Sequence, residues 1–376
     1  MELDTASSVI TTTSLAAWSY NNPSVLEQDD TFRSLQQQSI QQIGVNQRYA
    51  AVLLTDGTVR TWNIDADNPI SMTNTISNVH EIAVPVDALG DTSRLLVRFG
   101  DGHVGEVLTN TVRILMPDVV TSQIAAGRDH VAVLLPTGEV QIWNYDDVGN
   151  IIPVDTTLRD IVQVTAGEGF TLGLTAAGTL ATWGDNSAGQ RDIPVQANSN
   201  VRAIASGRSH SLALVETPSG GMVVAWGDNA FGQSSVPADL GDVVSIFAGE
   251  QSSAALSADG RIHVWGQNSA PPQCCANHVA LGNQLTIVEY QQYTYSGYTT
   301  IPIGGDFQYK RVTFEGILPG RRYRYSVVAR NRLGSTRSSG VVYSGRTYAK
   351  IFIPLASTDD SNDLLWPESH GAGDYP

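Results

Sequence analysis

Seven histidines, a pair of adjacent cysteines, three acidic clusters and one run of arginines are the residues of this chain whose types could do chemistry. His130 and His210 recur at matching places, each three residues after a glycine, Gly127 and Gly207. A base for catalysis needs a nucleophile or metal partner near it, and no GxSxG, P-loop, HExxH or CxxC supplies one. A histidine that repeats with the sequence reads as a structural hydrogen-bond donor. The clusters Asp65–Asn68, Asp146–Asp147 and Asp359–Asp363 gather carboxylate oxygens, but none has the twelve-residue loop of a calcium site, so they read as solvated turns. Cys274 and Cys275 are neighbours, where a bridge is strained; they read as plain thiols or an incidental bridge. Arg321, Arg322, Arg324, Arg330, Arg332 and Arg337, interleaved with Tyr323 and Tyr325, raise polyanion binding as a possibility. On alternating strands they are expected to split between sheet faces and loops and to form a solvated or partner-facing surface. The expectation is therefore a protein that is not an enzyme, with no cofactor and no metal.

Composition narrows the class further. Of 376 residues 41% are hydrophobic and 16% charged, as in a globular chain. The net charge of −15 argues against nucleic acid and anionic membrane as partners of the whole molecule. That charge is unevenly spread: residues 1–282 carry −17, residues 283–350 carry +7 and residues 351–376 carry −5. No apolar run reaches the ~18 residues that span a bilayer, so membrane insertion is not expected. The opening MELDTASSVI lacks the basic start and apolar core of a signal peptide, which leaves a cytoplasmic chain or one whose leader has been removed. Lysine occurs only at Lys310 and Lys350 among abundant Ser, Thr, Asn and Gln, a composition that favours an extracellular or cell-surface location.

The elements that must position these residues emerge from internal repetition. QIAAGRDHVAVLLPTGEVQIW (123–143), QVTAGEGFTLGLTAAGTLATW (163–183), AIASGRSHSLALVETPSGGMVVAW (203–226) and SIFAGEQSSAALSADGRIHVW (245–265) share one plan. Each is a strand ending in Gly, an alternating apolar strand, a tight turn with Gly, and a strand ending in Trp. The turn Gly precedes the Trp by five residues at Gly138/Trp143, Gly178/Trp183, Gly221/Trp226 and Gly260/Trp265. The same spacing finds Gly57/Trp62, Gly102/Val107 and, with Thr13 in the turn, Trp18. Those seven anchors predict an all-β, seven-bladed β-propeller over residues 1–270, with 276–282 (ANHVALG) as a candidate closing strand.

AAGRDH, ASGRSHSLAL, WGDNSAGQ (183–190) and WGDNAFGQ (226–233) resemble repeats of the regulator of chromosome condensation, above all its secreted bacterial relatives. The resemblance implies a seven-bladed propeller that binds partner proteins through one face of the ring.

Residues 312–334 carry LPG-x-x-Y-x-Y-x-V-x-A-x-N-x-x-G and resemble the second half of a fibronectin type III domain, with Tyr323 at the place of its corner tyrosine. A β-sandwich is accordingly expected over 271–348. The apolar segment around Ile351, Phe352 and Ile353 then leads an extended acidic tail over 349–376, with Leu364, Leu365 and Trp366 as anchors. The order acidic, basic, acidic predicts a structural or adhesive surface protein that assembles with copies of itself or binds another surface protein. Contacts are expected at Arg321, Arg322, Arg324, Ile351, Phe352, Ile353, Leu364, Leu365 and Trp366, with Ile351–Ile353 adding a strand to a neighbour's sheet. The alternative is a soluble protein-binding propeller such as a secreted enzyme inhibitor.

Overall fold

The two apolar runs of each repeat become paired strands because alternate side chains need opposite faces to bury. The computed structural model describes residues 8–19, 35, 38–46, 49–63, 76–85, 94–107, 111–145, 151–154, 158–258, 260–268, 276–282, 285–296, 309–315, 321–331, 334–344 and 348–354. The chain divides into two compact units, one of Ile10–Thr294 and one of Met1–Val9 with Tyr295–Pro376.

In the larger unit, β1 (Ser8–Ser19) is followed by a sheet of β2 (Ile40–Val45), β3 (Tyr49–Leu54) and β4 (Val59–Asn63). Next come β5 (Val79–Ala83), β6 (Leu95–Phe99), β7 (Val104–Val107) and β8 (Val112–Ile114). A second four-stranded sheet holds β9 (Gln123–Ala126), β10 (His130–Leu134), β11 (Val140–Tyr145) and β12 (Ile151–Val154). Three-stranded sheets follow: β13 (Ile161–Ala166), β14 (Phe170–Thr175) and β15 (Leu180–Gly184); then β16 (Val201–Ser206), β17 (His210–Thr217) and β18 (Gly220–Gly227). β19 (Val243–Ala248), β20 (Ser252–Ser257) and β21 (Ile262–Gly266) complete the series. Both ends of the repeat region build one more sheet, in which β23 (Leu285–Ser296) lies between β22 (Ala276–Leu281) and β1.

The first strands of successive sheets touch in order: β2 with β5, then β9, β13, β16, β19 and β22, and β22 again with β2. The series returns to its start. Alternation fills both gaps of every sheet. Val52 and Leu54 pack toward Ile287 of the sheet before, while Ala51 and Leu53 pack toward Val79, Leu95 and Val97 of the sheet after. Val52 and Leu53 are fully buried, and each such side chain stabilises by about 1.5–3 kcal/mol. At the closing sheet Val279, Leu281 and Val288 meet Ala254 and Ile262.

Two expectations change here. Thr13 does not stand in a turn, because β1 runs unbroken through it; a hairpin would have needed a residue tolerant of positive φ. The middle strand of that sheet is β23, so the repeat unit extends past residue 270 to Thr294. ANHVALG does supply the sheet's first strand as β22.

The smaller unit contains β24 (Tyr309–Glu315) paired with β27 (Tyr348–Pro354), and β25 (Arg321–Asn331) paired with β26 (Gly334–Ser344). The apolar segment 351–353 thus pairs with β24 of its own chain, Ile351 opposite Val312 and Ile353 opposite Lys310.

Candidate protein-binding face

One end of the repeat unit carries the second-to-third-strand turns. Gly57, Gly102, Gly138 and Gly178 sit there at φ +81°, +88°, +81° and +74°, a region closed to most side chains. In the β17–β18 hairpin the left-handed residue is Gly220 (φ +108°) and not Gly221, whose missing Cβ instead makes room for the Val243 carbonyl. Each turn grips the following sheet: the amides of Val79, Ile161 and Val201 donate to the carbonyls of Gly57, Gly138 and Gly178 at 3.1, 2.9 and 3.0 Å.

One residue further on, the first strands bulge at a shared position. The register shifts between Ile40 and Gln42, Val79 and Glu81, Ile161 and Gln163, Val201 and Ala203, and Val243 and Ser245. A bulge leaves its extra residue unpaired and re-aims its side chain. Here the extra residues are Gln41, His80, Val162, Arg202 and Val244, and all five are exposed. Val162 and Val244 are 55% and 44% exposed, and Arg202 sits on the sheet between theirs. Its guanidinium is held by the Val243 carbonyl at 2.5 Å and Glu216 at 3.0 Å.

The residue after the bulge turns toward the next sheet. The carboxamides of Gln42, Gln123 and Gln163 each bond both ways with one backbone residue there: Ile82, Val164 and Ile204. Glu81 holds the same place with a carboxylate that accepts from the Ile124 amide at 3.2 Å and from Arg98 Nε at 2.9 Å; burial pushes its pKa up.

The opposite end is occupied with holding itself together. The amides of Gly127, Gly167, Gly207 and Gly249 each donate to the carbonyl three residues on. His130 Nε2 meets Thr171 Oγ1 at 2.9 Å and His210 Nε2 meets Ser253 Oγ at 3.0 Å, each on the next sheet. Both imidazoles are buried, and burial lowers the His210 pKa to about 4. Arg128, Glu168, Arg208 and Glu250, one from each of four consecutive sheets, form an alternating ion-pair chain. In the GDNxxGQ loops the buried Gln190 and Gln233 tie back to Asp185 and Asp228. Their carbonyls accept from Trp226 Nε1 and Trp265 Nε1 of the following sheets, both at 2.9 Å. Through Nε2, both histidines bridge neighbouring sheets.

The residues expected to make contacts fall elsewhere. Arg321, Arg322 and Arg324 lie on β25, and Ile351, Phe352 and Ile353 on β27. In the register of β24 with β27, Ile351 stands opposite Val312, Phe352 opposite Arg311 and Ile353 opposite Lys310. In the β25–β26 hairpin Arg321 stands opposite Ser344, Arg322 opposite Tyr343, Arg324 opposite Val341, Arg330 opposite Ser335 and Arg337 opposite Val328. Arg332, Leu364, Leu365, Trp366, both cysteines and the three acidic clusters lie outside the described residues. Sequence reasoning passed over the bulge residues and the glutamine clamp, although the recurring Gln before the first strand's apolar pair was a visible signal.

The Regulator of chromosome condensation (RCC1) repeat matches residues 161–190, 201–233 and 243–270. The RCC1 domain-containing protein RUG3, mitochondrial, of Arabidopsis thaliana is 30% identical over 189 residues, 40% of this chain. The chain spans 42% of the length of that relative. Yeast RCC1 (Prp20), solved with Kap60 bound, superposes with a TM-score of 0.56 at 15% identity, covering 78% of this chain and 90% of that one. Prp20p from Saccharomyces cerevisiae gives 0.55 at 16% identity over 77% and 92%, and human WBSCR16 gives 0.51 at 17% over 68% and 88%. This chain carries RCC1 repeats and folds its repeat unit as an RCC1-type β-propeller.

Proposed function

We propose that the chain is a non-catalytic protein-binding module, a seven-bladed propeller joined to a fibronectin-type-III-like sandwich, acting as a structural or adhesive component outside the cell. The turn end of the propeller is its recognition face. The observation that carries this reading is the contrast between fixed and varied positions. Turn places repeat glycine, as at Gly57, Gly102, Gly138 and Gly178, and the clamp repeats glutamine at Gln42, Gln123 and Gln163. The bulge places share a backbone geometry but carry Gln41, His80, Val162, Arg202 and Val244. Side chains that differ on a repeating scaffold, and that make exposed apolar spots of Val162 and Val244, suit a surface that reads another protein.

Related propellers support the class of partner. Yeast RCC1 (Prp20) is solved with Kap60 bound, and the other Prp20p structure is described with binding to Gsp1p and histones. The sandwich reading draws on the smaller unit, where β24 pairs with β27 and β25 with β26. Two antiparallel pairs are the elements from which a sandwich is built.

The test is crosslinking capture by the full-length protein from its own cell-surface fraction. A Val162→Asp/Val244→Asp variant is expected to lose discrete partners that a Phe231→Ala variant, altered at the other end, retains. Equal capture by both variants would remove the turn end as the recognition face.

A further inference from the structure

We propose that the inner edge of β19 at Ile246 binds a primary carboxamide, the side chain of a glutamine presented by a partner protein. The inference rests on the turn end being the recognition face and gives the chemistry of one position within it.

Alternate residues of an antiparallel strand send both backbone groups into the ladder or both away from it. In β16, Ile204 lies opposite Ala213 and sends its amide and carbonyl away, to the Gln163 carboxamide. Ile246 lies opposite Ala255 with the same bulge before it, so its amide and carbonyl leave the ladder in the same way. The residue at the clamp place before it is Ala203, which ends at a methyl group. Among the described residues no side chain bonds either backbone group of Ile246. The seam between β19 and β22 repeats the pattern. Val279 lies opposite Val288 after a bulge, Ser245 holds the clamp place, and no side chain among the described residues bonds the Val279 backbone.

Ile246 and Val279 are 8% and 6% exposed, and a donor and an acceptor at that depth cost free energy until something pairs with them. Ala203 and Ser245 are only half-buried, so a ligand can reach the place. What fits is already present at three other seams. The carboxamides of Gln42, Gln123 and Gln163 answer Ile82, Val164 and Ile204 at distances between 2.7 and 3.2 Å. A primary carboxamide offers a donor and an acceptor on one edge, whereas a trans peptide points its N–H and C=O in opposite directions. A carboxylate only accepts and a guanidinium only donates. A nucleobase edge carries such a pair too, but the net charge of −15 repels the phosphates that come with it. The exposed Val244, two residues from Ile246, is placed to meet an apolar neighbour of the incoming glutamine.

The probe is N-acetylglutamine N-methylamide, titrated into isotope-labelled full-length protein and compared with the same capped forms of glutamate and methionine. The amide resonances of Ile246 and Val279 are expected to move with the glutamine probe. The other two should need concentrations at least about tenfold higher, because two hydrogen bonds separate them from it. Ala203→Gln is expected to remove the Ile246 response and keep that of Val279, and Ser245→Gln to do the reverse. Thermal melting checks that each variant folds, and either variant suffices where the other does not. No movement with any probe overturns the inference, and leaves the turn end as a recognition face to the Val162/Val244 capture experiment. Equal movement with all three overturns it as well, because the carboxamide is then not what is read. An Ile246 response that survives Ala203→Gln overturns the place named. Stronger movement with uridine than with the glutamine probe overturns it in favour of a base edge.

Discussion

The side chain of Gln163 and the backbone of Ile204 bond in both directions: the carboxamide nitrogen donates to the Ile204 carbonyl at 3.2 Å and its oxygen accepts from the Ile204 amide at 3.1 Å. One glutamine thus joins two sheets that no backbone ladder joins. Replacing it with Leu leaves two part-buried backbone groups without partners, at a cost of about 1–3 kcal/mol. Urea unfolding of Gln163→Leu against wild type measures the loss. At the same place in β16 stands Ala203, whose seam relies instead on Arg202 reaching the Val243 carbonyl. Ala203→Gln is expected to add a clamp toward Ile246 and raise stability by about 1 kcal/mol; no change would mean that the Arg202 contact already satisfies that seam.

His210 makes stability depend on pH. Burial lowers its pKa to about 4 in the fold, against about 6.5 in an unfolded chain. Between those values the unfolded state takes up a proton that the folded state refuses, so stability falls as pH drops from about 6.5 to about 4. The contribution is full above that window and reaches a loss of about 3 kcal/mol below it. In the preceding repeat Phe170 holds the matching corner and is fully buried. His210→Phe should therefore fold and flatten this part of the pH profile. Denaturant midpoints at half-unit pH steps decide it; an unchanged slope would assign the acid sensitivity to another group.

What the sequence made legible followed from side-chain periodicity. The Gly-to-Trp spacing located second and third strands because a three-residue turn fixes their register, and Gly57, Gly138 and Gly178 do hold those turns. Two things escaped it. A bulge shows only as one extra residue in a short strand, which alternation reads as noise, so Val162 and Val244 passed unnoticed. β23 was missed for a different reason: its sheet is completed by a strand more than 260 residues away in sequence, so no local repeat announces it.

Glycines of two kinds should respond differently to alanine. At Gly178 a Cβ meets nothing nearer than the Val201 carbonyl at 3.3 Å, so Gly178→Ala costs mainly the left-handed φ of +74°, about 1–2 kcal/mol. At Gly167 a Cβ collides with the Phe170 ring and the Gly207 carbonyl. That carbonyl is backbone of the next sheet and cannot step aside without moving its strand. Gly167→Ala is expected to cost clearly more than Gly178→Ala, several kcal/mol, in paired thermal melts.

Closure by both ends of the repeat unit gives the last prediction. β1 pairs only with β23, on the side away from β22, and no other strand of the described residues covers that edge. Removing residues 1–19 leaves β22 in contact with β2 and β19, so the inner ring of first strands persists. What it exposes is the twelve-residue edge of β23, a row of unpaired amides and carbonyls. The truncated protein should thus keep most of its strand content while its melting temperature falls, and it should aggregate through that edge. A synthetic peptide of residues 8–19 added in trans should restore the melting temperature, since the groove it fills is already formed by β23. If the peptide has no effect and the truncated chain is unfolded throughout, β1 is needed to build the sheet and not merely to cap it, and closure is then a condition of folding for the entire repeat unit.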